Sequence, residues 1–326
     1  MKKIQRILVA VKTPGTQCSL AIAKATQIAR ATGAHLELFY GVDTRLYVEA
    51  LDTYENGITG FEALQSEPHM RLLERVAAKV RRHGVNVTCA TGVDYPVYEA
   101  ILRQAEQSQA DLIVTDCHAG SHIAPSLWRF TDWELMRLSP VPVLIVKQPR
   151  LYHRPNILAA VDPGHTFSKP IQLDGEILDL SAALSTALRG KMHVMHAFLP
   201  SAVAVHASTG ATAGAAVQPD LIARRAAGTL LDRALEGSDI PVTNRHLVSG
   251  HPADALTLGV TQLSADILVL GCIARSGVRR LLIGNTAEQL IYRLPCDLLM
   301  VKPLGFTNDI ERARRGPRLM VTPVCN

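Results

Sequence analysis

The stretch from Gly271 to Thr286 carries residue types that hold an anion. It reads Gly271-Cys-Ile-Ala274-Arg275-Ser-Gly-Val-Arg-Arg-Leu-Leu-Ile-Gly284-Asn285-Thr286, between an aliphatic run and a helix-periodic segment. Gly271 lets the backbone turn tightly, and Gly284 leads into a helix that starts near Asn285 or Thr286. A glycine-opened loop that ends at a helix N-terminus presents free N–H groups, and the helix dipole adds to their attraction for phosphate. Arg275, Arg279 and Arg280 lie inside the loop and are available to a polyphosphate, although arginines in such a loop are commonly just solvated. An ordinary loop with Asn285 or Thr286 as helix cap uses the same residues, so the loop alone leaves both readings open. Metal chemistry is less well supplied. Asp116-Cys117-His118 and His122 bring donors to one loop, but no second Cys or His pair nearby completes a tetrahedral set. Group-transfer motifs are missing: there is no GxxxxGK[ST] phosphate loop, no GxGxxG after a first strand and no GxSxG nucleophile elbow.

These residues need strands to carry them, and the strands come in two sets. Asp111-Leu-Ile-Val-Thr-Asp116 recurs as Asp266-Ile-Leu-Val-Leu-Gly271 at an offset of 155 residues (266 − 111). Pro140-Val-Pro-Val-Leu-Ile-Val-Lys147 recurs as Pro295-Cys-Asp-Leu-Leu-Met-Val-Lys302 at the same offset, and Arg6-Ile-Leu-Val-Ala-Val-Lys12 as Asn156-Ile-Leu-Ala-Ala-Val-Asp162 at 150. A fixed offset signals duplication. Within each copy aliphatic runs alternate with helix-periodic segments, which predicts β/α units and a parallel sheet. Strands are expected at 6–12, 35–40, 85–90, 111–116 and 142–147, then at 156–162, 192–198, 240–247, 266–271 and 297–302. Leu72, Val76 and Val80 recur at helical spacing and their helix stops before Gly84; a second helix, 219–236, is closed by Gly237. A long loop of small residues is expected from Ser201 to Gln218. The prolines of the linker Gln148–Pro155 stop the last strand of the first copy. The expected organisation is a first domain at 1–149, a second at 150–304 and a loose, basic C-terminal tail at 305–326. Ligands of such sheets sit at the carboxyl ends of the strands, at the topological switch point. The last strands, Val143–Val146 and Leu298–Val301, are so apolar that bare edges would aggregate. The two domains are therefore expected to pack as a pseudo-dimer, with a homodimer of the chain also open.

With the strands in place, the loop resembles the nucleotide motif of the universal stress protein family, G-x2-G-x9-G followed by Ser or Thr. Gly284-Asn-Thr-Ala-Glu-Gln-Leu-Ile, Pro295-Cys-Asp-Leu-Leu-Met-Val-Lys-Pro303 and Thr131-Asp-Trp-Glu-Leu-Met136 are similar to the tandem, E-type members. The resemblance implies an α/β chain of two tandem flavodoxin-like (adenine-nucleotide α-hydrolase-like) domains, each a five-stranded parallel sheet with helices on both faces. It also implies a role in stress survival, and a nucleotide site in some members but not in others. Carried onto this sequence, the nucleotide residues are Asp162 after the first strand and Ala197 beside the adenine. Gly271, Ala274, Gly284, Asn285 and Thr286, with Arg275 among them, surround the phosphates of ATP with Mg. Ala274 stands where the motif has its second glycine. Its Cβ crowds a phosphate, and at positive φ it costs on the order of 1 kcal/mol. Asn285 replaces the hydroxyl residue, and Asp162 also fits a plain turn in Asp162-Pro163-Gly164. The first copy departs further, with Lys12, Asp116 and Arg129-Phe130 in place of Asp162, Gly271 and Gly284-Asn285, so ATP is not expected there.

Composition bounds the rest. A chain of 326 residues suits two domains, and 48% hydrophobic with 19% charged residues is usual for a globular protein. The net charge of +5 lies partly in the tail (Arg312, Arg314, Arg315, Arg318), and no basic stripe alternates with aromatics, so nucleic acid is not an expected partner. The 6 cysteines form no CxxC pair, which points to reduced thiols. The N-terminus lacks a signal h-region, and no run approaches the roughly 18 apolar residues of a membrane span. The expectation is a cytoplasmic stress-response binding protein and not a conventional enzyme, slow ATPase activity being a distant third reading. The competing reading is a binder of an apolar or lipid-like molecule, or an interaction scaffold, with both phosphate loops vestigial.

Overall fold

A computed structural model describes residues 3–15, 19–42, 45–47, 57–94, 96–117, 127–164, 172–199, 217–272, 290, 294–308, 310 and 318–320. The chain divides into two compact units: Lys3–Leu151 with the chain end from Thr307 on, and Tyr152–Phe306.

The first unit is built on β1 (Arg6–Ala10), β2 (His35–Val42), β4 (Val87–Val93), β5 (Leu112–Asp116) and β6 (Val143–Val146). Among the described residues these strands lie in the order β4-β2-β1-β5-β6, every neighbouring pair parallel. Helices α1 (Leu20–Thr32), α2 (Gly57–Arg81), α3 (Val97–Gln107) and α4 (Leu127–Leu138) alternate with them. The central strands read as unbroken apolar runs because a parallel sheet is covered by its crossover helices; Leu112 to Val114 and Val143 to Val146 are all buried. Ser19, in extended backbone, starts α1 by accepting the Ile22 N–H on its Oγ, and Gly33 at φ 72° ends it.

The second unit repeats this plan with β7 (Asn156–Val161), β8 (Lys191–Phe198), β9 (Arg245–Ser249), β10 (Ile267–Gly271) and β11 (Asp297–Val301). Their order is β9-β8-β7-β10-β11, again all parallel, with helices α5 (Gln172–Ala187), α6 (Val217–Ala234) and α7 (Pro252–Gln262). The duplication holds down to single bonds. Asp111 Oδ2 accepts the Arg6 N–H at 3.0 Å, and Asp266 Oδ2 accepts the Asn156 N–H at 2.8 Å. Cys117 N–H donates to Val146 O at 2.7 Å, and Cys272 N–H to Val301 O at 2.8 Å. Both α3 and α7 end on a residue in left-handed backbone, Gln109 (φ 51°) and Ser264 (φ 47°), with the bond from Ala110 to Ala105 matched by that from Ala265 to Val260.

Several details differ from the sequence reading. The strand expected at 240–247 is β9, Arg245–Ser249, because Pro241 offers no N–H to a ladder and instead opens a 3-10 turn over Val242–Asn244. The tail is not wholly loose: Asn308 Nδ2 donates to Leu138 O at 3.1 Å, and β12 (Arg318–Met320) pairs in parallel with β3 (Arg45–Tyr47). Strands of three residues are too short to leave a periodic signal. Of the loop expected at 201–218, residues 201–216 lie outside the described residues, while Val217 and Gln218 open α6. Among the described residues no helix is long and apolar enough to cross a membrane.

Candidate functional site

In the second unit the strand order reverses direction between β7 and β10, so their carboxyl ends form the switch point at which such sheets bind ligands. Val161 is level with His196 in the β7–β8 register, and the β7–β10 register brings Gly271 level with Val161. Asp162, Ala197 and Gly271, far apart in sequence, are thereby gathered at one edge.

Asp162 is half-buried. Its N–H donates to Asp174 Oδ1 at 3.1 Å, which fixes the backbone where it leaves β7. Asp174 itself is buried in the first turn of α5, where the helix dipole favours a carboxylate. The Asp162 side chain keeps an unspent acceptor: its buried Oδ2 finds no hydrogen-bond partner among the described residues. A buried carboxylate oxygen left without a donor is costly. Beside it, His196 is buried and its Nδ1 lies 3.2 Å from Val161 O. A carbonyl only accepts, so Nδ1 carries the proton in that bond and clips the ends of β7 and β8 together.

One charged group at this edge was missed by the sequence reading. Lys302, directly after β11, is buried; its Nζ donates to Cys272 Sγ at 3.2 Å and stands 4.7 Å from the centroid of the Phe306 ring. Burial pushes the Cys272 thiol up, and the Lys302 ammonium opposes that shift. The signal was in the repeat: each copy ends its last strand in lysine, Lys147 and Lys302. A fixed positive charge therefore stands where the Gly271 loop begins. Ala274, Arg275, Gly284, Asn285 and Thr286 lie outside the described residues, as do His118 and His122.

The same edge of the first unit is spent on internal bonds. Lys12, in the place of Asp162, puts its Nζ 2.9 Å from Asp132 Oδ2 and 2.8 Å from Oδ1, the two side chains being only 13% and 10% exposed. Asp116, in the place of Gly271, accepts the Ala21 N–H on Oδ1 and the Ser19 hydroxyl on Oδ2, both at 2.8 Å. Its carboxylate thus occupies the positive end of α1. Gly41, in the place of Ala197, is so close beneath α3 that a Cβ there would lie 2.7 Å from Val97 Cγ1. Arg129 and Phe130 fall in the first turn of α4, where the second copy has Gly284 and Asn285.

Among the described residues no group of three or more His, Cys, Asp and Glu side chains could hold a metal ion. At this edge the second unit brings together a carboxylate acceptor, an ammonium and a strand-end glycine.

Comparison with known proteins agrees in both halves. The sequence model of the universal stress protein family matches residues 3–147 and 155–302. Universal stress protein E of Photorhabdus laumondii subsp. laumondii is 23% identical over 331 residues, which cover 96% of this chain and 100% of that protein. The universal stress protein E homolog of Haemophilus influenzae is 28% identical over 209 residues, or 63% of this chain and 66% of the relative. Among solved structures, a functionally unknown protein from Pseudomonas aeruginosa PAO1 shares the fold at a TM-score of 0.69 and 22% identity, covering 92% of this chain and 93% of that one. A universal stress protein from Archaeoglobus fulgidus does so at 0.58 and 17%, covering 91% and 98%. With the family model matching nearly all of both repeats, this chain belongs to the universal stress protein family, as a tandem member of the E type.

Proposed function

We propose that this tandem universal stress protein acts in the cytoplasm by holding a nucleotide, ATP with Mg, weakly and in its second domain only. The observation that carries the proposal is the contrast within one chain. Lys12 and Asp116 of the first domain are consumed by Asp132 and by the start of α1, whereas Asp162 of the second keeps a buried oxygen with no partner among the described residues, beside a strand-end glycine. In this reading the phosphates lie over Gly271 to Thr286, with Arg275 and Lys302 offsetting their charge, and the adenine lies near Ala197. The family role is served by occupancy of the site and not by turnover. Alanine at position 274 and asparagine at 285 together remove a few hydrogen bonds to phosphate. Each is worth roughly 1 to 3 kcal/mol with a charged acceptor, enough to carry a micromolar site toward the millimolar range.

Calorimetric titration with Mg-ATP of the intact protein, of Gly284→Arg and of Ala274→Gly tests this. The proposal requires that Gly284→Arg, which imitates the first domain, abolish binding and that Ala274→Gly strengthen it. Equal binding by all three would place the site elsewhere. No binding even by Ala274→Gly would favour an apolar-ligand or scaffold role with vestigial loops.

A further inference from the structure

The outer edge of the first domain's sheet is β4, which among the described residues pairs with β2 on one side only. The ladder decides which of its backbone groups are left over. Leu36 N–H donates to Asn86 O, and in a parallel ladder every second residue turns the same way. Thr88, Ala90 and Gly92 therefore face β2, while Val87, Cys89 and Thr91 face outward. Arg81 Nη2 reaches round to Val87 O at 3.1 Å and so caps the first of these outward groups. The outward N–H and C=O groups of Cys89 and Thr91 meet no partner among the described residues.

Exposed strand edges recruit other strands, and proteins usually blunt them with short strands, charges or proline. Strand β4 has none of these: it runs for 7 residues, Val-Thr-Cys-Ala-Thr-Gly-Val, without a charge or a proline. The duplicate supplies the contrast. The matching edge of the second domain, β9, runs for 5 residues and carries Arg245 and His246. Pro241 and a 3-10 turn lead into it, and the Arg245 guanidinium folds back to donate twice to Ile240 O, at 3.1 and 3.0 Å. One copy blunts this edge, and the other leaves it open.

What fits the open edge is a second copy of the same strand. In an antiparallel pairing about a two-fold axis at Ala90, Cys89 lies opposite Thr91 of the partner subunit, and each such pair exchanges both backbone bonds. Residues that face each other without bonding come within about 4.5 Å between Cα atoms. Here they are Ala90 with Ala90 of the partner subunit and Thr88 with Gly92 of the partner subunit, all of them small. No charge in the strand lies opposite a like charge. The antiparallel order also keeps the exposed Arg81 and Arg82 of the two copies at opposite ends of the ladder, where a parallel order would set them side by side.

We propose that two copies of this chain associate by antiparallel β4–β4 pairing, which extends the sheet of the first domain across a two-fold axis. The interface does not depend on the nucleotide reading, which concerns the other domain.

Sedimentation velocity of the full chain over a concentration series should show a monomer–dimer equilibrium. Thr91→Pro removes an outward N–H and leaves the ladder to β2 whole, so it should raise the dimer dissociation constant about tenfold or more, the size of the backbone hydrogen bonds lost. Thr91→Val keeps that N–H and should leave the constant unchanged. On the wild-type chain, hydrogen exchange read at single residues should slow at Cys89 and Thr91 as concentration rises, with Ala90 protected throughout. A chain monomeric at every concentration, a dimer that folded Thr91→Pro does not weaken, or unchanged exchange at Cys89 and Thr91 would each overturn the proposal. Slowing at these amides only when an extended peptide of another protein is added would assign the edge to that partner and overturn it too. Should Thr91→Pro fail to fold, the exchange on the wild-type chain decides alone.

Discussion

At the scale of single residues, the two domains differ by what their strand-end charges meet. Lys12 and Asp132 are an almost wholly desolvated pair, at 13% and 10% side-chain exposure. Their mutual attraction roughly offsets the cost of removing both from water, so removing one partner is far worse than removing both. Lys12→Met should therefore destabilise the first domain by about 3 kcal/mol, and adding Asp132→Leu should restore most of that loss. Urea unfolding of the two variants checks it; a double variant as unstable as the single one would contradict the account. Asp162, which stands in the place of Lys12 in the repeat, has no comparable partner for its Oδ2 among the described residues.

At the scale of elements, the helix ends show what a repeat conserves and what it lets drift. Helices α1 and α5 close with the same bond five residues back, Ala34 to Ala29 at 3.0 Å and Gly190 to Ser185 at 2.8 Å. The residue in left-handed backbone is Gly33 (φ 72°) in one and Arg189 (φ 53°) in the other. A side chain in that region is strained by its own Cβ, whereas glycine is not. Arg189→Gly should raise stability by roughly 0.5 to 1 kcal/mol by denaturant unfolding, and Gly33→Ala should lower it by a similar amount. No atom lies within 4 Å of a Cβ built at Gly33, so the second effect is conformational alone. Helix ends marked by glycine, at Gly84 and Gly237, were legible in the sequence; those at Gln109, Arg189 and Ser264 were not, because nothing in such a residue type announces left-handed backbone.

At the scale of the whole molecule, the proposed single nucleotide site requires the two domains to respond unequally to the ligand. At a hundredfold excess over the dissociation constant, Mg-ATP should stabilise the domain that binds it by about 2.7 kcal/mol and leave the other unchanged. Hydrogen exchange reads this directly: amides of β7 and β10 should slow, and those of β1 and β5 should not. Slowing in the first domain, or in both equally, would contradict the asymmetry derived from Lys12 and Asp116.

The sequence by itself determined the duplication, the alternating β/α plan, the family and the asymmetry between Lys12 with Asp116 and Asp162 with Gly271. All of these are written locally, in aliphatic runs, helical spacing and fixed offsets. Only the tertiary structure decided what those side chains meet. Asp132 lies 120 residues from Lys12, and the Ala21 N–H lies 95 residues from Asp116. The pairing of β12 with β3 and the Lys302 ammonium on Cys272 were hidden for the same reason. A local pattern tells a residue which face it takes, but its partner is set by which distant strand or helix end the fold brings alongside.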